Sequence, residues 1–255
     1  MRLTKRSDWT GRPILQDSET ARRVFAREEW MRVIRDRLPP GPIDVLELGC
    51  SPGFLGAILF NGTEWRPFGV DYAEDADTYT QSFAQIGKEA MLYRGDLFEV
   101  ELGRQFDVVC SFGLIEHFRG SELDQVLAIH HRYVRPGGHV VILLPNFTGV
   151  HYAWHYLFDR PNLDTHNVGS MNLATFDLFD RLGYGTLVKE FHGQFRVWGN
   201  SSWTGNWFTG KAVAALSHLL SKSSKLLGRA GLKLSGRSLS PYILYIGQRP
   251  ADDAA

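Results

Sequence analysis

Two cysteines in 255 residues, Cys50 and Cys110, are too few for a disulfide framework. Each lies near the end of an apolar run and reads as a small core hydrophobe in a reducing compartment. An excess of one charge is also missing. The 28 Lys+Arg balance 28 Asp+Glu, so no global field draws nucleic acid or a membrane. Val140 to Leu144 is among the longest apolar runs, far short of the roughly 20 residues that span a bilayer. Met1 to Trp9 is charged and has no apolar leader core, so a cytoplasmic protein without a secretory signal is expected. No internal repeat is apparent. What is present is ample core material, 44% hydrophobic residues, enough for one large α/β domain over residues 1–255.

The most informative stretch runs Ile43-Asp44-Val45-Leu46-Glu47-Leu48-Gly49-Cys50-Ser51-Pro52-Gly53. Val45, Leu46 and Leu48 suit a strand buried on both faces of a parallel sheet. Gly49 and Gly53 let the backbone turn sharply and approach a ligand closely. Phe54 to Phe60 then reads as a helix whose N-terminus faces that ligand. From Asp44 to Asn146 strand and helix patterns alternate, which implies a doubly wound sheet. Before it, residues 17–38 read as one helix that stops at Pro39-Pro40-Gly41-Pro42. After it, a helix is expected over 173–182, a sixth strand over 186–198 and a closing strand over 240–247.

Glu47-x-Gly49-x-Ser51-x-Gly53 resembles the first motif of class I S-adenosylmethionine-dependent methyltransferases, with Ser51 where a glycine is usual. Four further segments follow in that family's order. They are Phe68-Gly69-Val70-Asp71-Tyr72, Tyr93-Arg94-Gly95-Asp96-Leu97, Phe106 through Glu116-His117-Phe118, and Arg135-Pro136-Gly137-Gly138 leading into His139 to Leu144. The likeness is good over roughly residues 40–147 and leans toward the quinone-biosynthesis branch. It implies a Rossmann-like, doubly wound, seven-stranded sheet, parallel with an antiparallel edge strand, plus a helical, aromatic lid. The expected division is an N-terminal helical cover (1–40), a cofactor core (41–146), a lid (147–172) and a C-terminal part (173–255).

The resemblance also assigns roles. Asp71 would accept from both ribose hydroxyls in charge-assisted bonds, with Tyr72 against the adenine. Asp96 would accept from the adenine amino group while the Leu97 amide meets a ring nitrogen. Glu47 and the chain at Ser111, Phe112 and Gly113 would hold the methionine end of S-adenosylmethionine. A nicotinamide dinucleotide is the sharpest rival, but its Gly-x-Gly-x-x-Gly loop, counted from Gly49, demands glycine at Ser51 and Phe54.

Methyl transfer is an in-line displacement, so orientation supplies much of the acceleration and no triad is needed. His117, just past the fourth strand, is a catalytic candidate, as are His151 and His155 in the lid. Tyr152, Trp154, His166 and Asn167 are candidates for binding the acceptor. His151 and His155 are four apart and share a helical face, but a pair without a placed third ligand is not a metal set, and none is expected. No Asn-Pro-Pro-Tyr segment occurs, which argues against the amide- and adenine-methylating branches.

A last amphipathic helix is expected over about 206–229. From Lys211 onward its basic residues Lys211, His218, Lys222, Lys225 and Arg229 fall on one side, and Val213, Leu216, Leu219, Leu220, Leu226 and Leu227 on the other. No acid occurs between Lys211 and Ser240. The leucine side is expected to pack on the body with the basic side in water. The alternative is docking to an anionic membrane or partner. The expected function is methyl transfer to O, N or C of a small, aromatic or partly apolar molecule. The alternative is a non-catalytic cofactor-binding scaffold that acts through this helix.

Overall fold

The alternation of apolar and amphipathic segments produces one seven-stranded sheet in the order β3-β2-β1-β4-β5-β7-β6. The computed structural model describes Thr4, residues 11–197 and residues 207–251, with only the backbone of 207–210. In chain order its elements are α1 (Ser18–Phe25), α2 (Glu29–Arg37), β1 (Asp44–Leu48), α3 (Phe54–Phe60), β2 (Arg66–Asp71), α4 (Thr78–Ala84), β3 (Met91–Arg94) and β4 (Phe106–Phe112). Then follow α5 (Ser121–Tyr133), β5 (Val134–Pro145), α6 (Val150–Phe158), α7 (Arg160–Asp164), α8 (Asp177–Arg181), β6 (Gly185–His192), α9 (Trp207–Arg229) and β7 (Tyr242–Gln248).

Strands β1 to β5 are parallel, and the order reverses between β1 and β4, where the chain crosses from β3 to the far side of β1. Ligands of such sheets bind at the carboxyl ends of the strands beside that reversal. The antiparallel strand is β7, and it lies inside the edge, between β5 and β6. Two apolar layers cover the sheet. Leu46, Leu48 and Val109 face α5 and the 163–184 segment, while Val45, Val108 and Cys110 face α1 to α4.

Three local expectations are modified by long-range contacts. The helix over 17–38 is two helices. Asp17 caps the first, accepting from the Thr20 amide at 2.6 Å. The second starts after Glu28, whose extended backbone (φ −100°, ψ 101°) breaks the run. The Glu28 carboxylate takes two bonds from Arg196, each 2.9 Å, so a partner 168 residues away holds the break. The Arg135-Pro136-Gly137-Gly138 turn is absorbed into β5, where the register jumps from Phe106↔Val134 to Val108↔His139. The sixth strand ends at His192, and Trp198 and Trp203 lie outside the described residues.

Helix α9 forms as expected but docks differently. Its packed face is Val213, Ser217 and Ser224, with Leu220 half-buried, against Trp154 and Val197. Leu216, Leu219, Leu226 and Leu227 are exposed, alongside the exposed Lys222, Lys225 and Arg229. Small serines allow the closer approach to the body, so the leucine stripe is turned outward.

His130 on α5 is fully buried, its Nε2 bonded to Ser111 Oγ (3.0 Å) and its Nδ1 to Val126 O (2.7 Å). Burial lowers its pKa to about 4. The unfolded chain therefore binds the extra proton below its ordinary pKa of about 6.5, and stability from this group is lost as pH falls from there toward 4. Between pH 6.5 and 5 the loss is about 2 kcal/mol. Urea unfolding at both pH values is expected to show the stability gap between wild type and His130→Gln narrowing by that order.

Candidate active site

The loop after β1 is built by backbone bonds. Gly49 N donates to Val70 O (2.9 Å) and Gly53 N to Cys50 O (2.6 Å), which folds the loop under the N-terminus of α3. Gly53 caps that helix at φ +76°, and an added Cβ there would sit 2.9 Å from the Tyr79 backbone. Ser51 fills the place of the usual glycine without blocking the loop. Its amide donates to Asp71 Oδ2 (2.8 Å) and its hydroxyl pairs with Thr78 Oγ1 (3.2 Å).

Two adjoining cavities open at the ends of β1, β2 and β4, joined at Gly49, Gly113 and His117. The narrower, about 40 Å³, is a slot between Asp71-Tyr72 and Asp96-Leu97, closed by Leu114 and Phe118. The wider, about 490 Å³, runs from Glu47, Ser51 and Gly53 past Phe112 to Glu116, Phe147 and His166. That volume suits a small molecule.

The electrostatics are dominated by buried acids. Asp71 Oδ1 accepts from the Ala73 amide at 2.8 Å and Oδ2 from Ser51, yet burial holds its pKa above the ordinary range. Each carboxylate oxygen keeps a further lone pair for a ligand hydroxyl. Glu47 is 4% exposed, and its Oε2 has no hydrogen-bond partner among the described residues. Burial first, and then the charge of Asp71, drive its pKa well up. A buried carboxyl oxygen of this kind calls for a cationic or N–H-rich ligand. S-adenosylmethionine, with an ammonium, a sulfonium and two ribose hydroxyls, has the matching groups, so the residues fit it.

His117 donates through Nδ1 to Thr165 O (2.8 Å), which makes Nε2 the lone-pair atom of the ring. Burial, then the neighbouring His166, lower its pKa to about 3. His166 Nδ1 is likewise tied to Asn162 O at 2.6 Å, and burial lowers its pKa to about 4. Rings held this strongly neutral accept hydrogen bonds well but store protons poorly. Glu116 is 1% exposed, and burial raises its pKa to about 8.

Of the residues singled out in the sequence, Glu47, Gly49, Ser51, Gly53, Asp71, Tyr72, Asp96, Leu97, Phe112, Gly113, His117 and His166 line the two cavities. The others face elsewhere, for identifiable reasons. Ser111 sits on the opposite face of β4 from the cleft, bonded to His130. His151 is pinned by Nε2 to Leu239 O at 3.0 Å. Trp154 packs with Val197 and Val213 under α9. Tyr152 is 44% exposed and stacks on Tyr156 at the surface. His155 is buried one layer behind the cleft, its ring 4.0 Å from that of Phe147 and its Nδ1 on Asp159 Oδ2 at 3.0 Å. Asn167 is a strut, its amide on Glu116 O (2.6 Å) and its side chain on Phe118 O (2.8 Å).

The sequence reading missed Arg12. It lines the wider cavity, where its charge acts on both Asp71 and Glu116. The segment carrying it is tied down by Gly11 N on Asp75 Oδ2 (2.8 Å) and Leu15 N on Ser82 Oγ (3.2 Å). No local pattern marks an arginine in a loop as part of a pocket built 35 residues and more downstream.

Residues 45–138 match the family model described as "Methyltransferase domain". No curated protein matches the chain. Among solved structures, the N-methyltransferase NodS from Bradyrhizobium japonicum WM9 in complex with S-adenosyl-l-homocysteine is similar. It has 13% identity, a TM-score of 0.54, and coverage of 89% of this chain and 88% of that one. A SAM-dependent methyltransferase from Archaeoglobus fulgidus has 20% identity, a TM-score of 0.56, and coverage of 90% and 94%. The PH0226 protein from Pyrococcus horikoshii OT3 has 15% identity, a TM-score of 0.57, and coverage of 95% and 98%. At these identities the structures speak for the fold, and the matched segment speaks for the chemistry. Residues 45–138 thus match a methyltransferase domain, on the fold shared with these S-adenosylmethionine-dependent enzymes, which indicates S-adenosylmethionine as the cofactor.

Proposed function

We propose that the enzyme methylates O, N or C of a small, partly apolar acceptor seated in the wider cavity. The observation that carries this reading is the continuity of that cleft, about 490 Å³, from the Glu47 loop to Phe147 and His166. Asp71 and Asp96 take the ribose and adenine ends, and Arg12 is suited to the methionine carboxylate. The cofactor supplies an electrophilic methyl on sulfur; its transfer leaves S-adenosylhomocysteine, and an O–H, N–H or C–H acceptor gives up its proton to solvent water. His117 and His166 line the acceptor's end of the cleft, and Phe147 packs on its apolar part. Formation of S-adenosylhomocysteine should be followed by mass spectrometry with phenolic, carboxylic and amine acceptors. Turnover with a protein or nucleic-acid acceptor and none with small molecules would reject the reading.

The outward leucines favour a second reading for α9, namely peripheral docking on an anionic membrane. Leu219 and Leu226 are 60% and 65% exposed beside Lys222 and Lys225. An apolar stripe flanked by basic residues suits the headgroup boundary. No helix among the described residues is long and apolar enough to cross a membrane. Each basic residue near an anionic surface contributes about 1 kcal/mol. Lys222→Glu with Lys225→Glu is therefore expected to abolish sedimentation with phosphatidylglycerol vesicles at low salt. Equal sedimentation of wild type and double variant would remove this reading.

A further inference from the structure

Three ligand-capable side chains meet in the lining of the wider cavity. They are Glu116, His117 and His166, and one ligand atom from each lies within 4.8 Å of the other two. They come from two distant segments, the 3₁₀ turn Ile115–His117 after β4 and the turn that follows α7. We propose that Glu116, His117 and His166 bind one divalent first-row transition metal, with open coordination positions facing the cleft.

Four observations converge on this site. Two imidazoles and one carboxylate are the donor types that suit such metals, and three protein ligands leave room for water or an acceptor oxygen. Both imidazoles are oriented from behind: Nδ1 of His117 sits on Thr165 O at 2.8 Å and Nδ1 of His166 on Asn162 O at 2.6 Å. Carbonyl partners of this kind fix the tautomer and present Nε2 as the ligand atom, the usual outer support of metal-binding histidines. Third, Glu116 is 1% exposed and its Oε2 has no hydrogen-bond partner among the described residues. Leaving such an oxygen buried costs free energy unless a cation or donor meets it. Finally, Asn167 clamps the two segments together through Glu116 O and Phe118 O.

Ligands at about 2.0–2.2 Å from a metal lie roughly 3–3.5 Å from one another. An edge at the 4.8 Å bound must therefore close by roughly 1.3–1.8 Å, within reach of side-chain rotation. The charge of Arg12 also acts on Glu116. Arg12 and the metal therefore compete for that carboxylate, and Arg12 is left to pair with Asp71 or an anionic ligand when the metal is bound. His151 and His155, the pair noted from their spacing, do not form this site.

The site is independent of which acceptor is methylated, so its test does not use activity. The full chain, stripped with chelator, should be titrated with Co(II) and with Zn(II), following the visible absorption of the Co(II) complex and bound metal by mass spectrometry. One equivalent is expected, with affinity at least 100-fold lower and the visible bands lost in His166→Ala and in Glu116→Gln. His151→Ala should bind like wild type. Circular dichroism and S-adenosylhomocysteine affinity report whether each variant is folded, and the near-isosteric Glu116→Gln covers a His166→Ala that is not. Absence of Co(II) uptake by wild type, or equal affinity and spectrum in both ligand variants, would overturn the proposal, as would loss of binding in His151→Ala alone.

Discussion

Replacing Asp71 with alanine is expected to weaken S-adenosylhomocysteine binding by roughly 10- to 150-fold, the loss of about 1.5–3 kcal/mol for a hydrogen bond to a charged group. The direction follows from where Asp71 stands. It ends β2, the neighbour of β1 on the side away from β4, and lines the narrow slot together with Asp96. Its oxygens already accept from the Ser51 and Ala73 amides, so the carboxylate is fixed before the cofactor arrives. Removing it deletes the proposed ribose acceptor and also frees the Ser51 amide that shapes the glycine loop. Asp71→Asn keeps one acceptor oxygen and should fall between the two. Titration calorimetry on folded protein checks this, and unchanged affinity in Asp71→Ala would place the cofactor elsewhere.

The second large effect is expected at His166, and it should separate turnover from cofactor binding. His166 lines the wider cavity and not the slot, and its ring lies 4.5 Å from that of His117 and 4.8 Å from that of Phe147. If this end of the cleft positions the acceptor, His166→Ala should lower kcat/KM by roughly 100-fold, the scale of a 1 Å misplacement of reacting groups. Its affinity for S-adenosylhomocysteine should stay within a factor of about 3, since misplacing the acceptor leaves cofactor contacts intact. Tyr152→Ala, on the outer face of α6, should change neither quantity. A His166→Ala enzyme that binds cofactor poorly but turns over normally once saturated would reverse the assignment of the two cavities.

Much of this was readable along the chain because it rests on local chemistry. The apolar run Val45 to Leu48, the glycines at 49 and 53 and the acids at 71 and 96 are determined by strand burial, turn geometry and strand-end position. Each of these is decided within about ten residues, so the α/β order and the residues that line the slot and the glycine loop follow from the sequence by itself. The family likeness adds which group each acid is proposed to serve.

What the linear pattern left open was direction. His151, Tyr152, Trp154 and His155 share one short helix, yet one bonds Leu239, one reaches the surface, one packs under α9 and one lies behind Phe147. Which way α6 turns is set by Leu239 and Val213, residues more than 50 positions away. The same reason placed Ser111 on the α5 side of β4, broke the 17–38 helix through Arg196, and turned the leucines of α9 outward. Helical periodicity states which residues share a face, and only packing against the rest of the molecule states what that face meets. The approach of Arg12 to Asp71 and the meeting of Glu116, His117 and His166 are likewise tertiary. They join segments separated by loops whose closure depends on the whole sheet, so no spacing rule could have announced them.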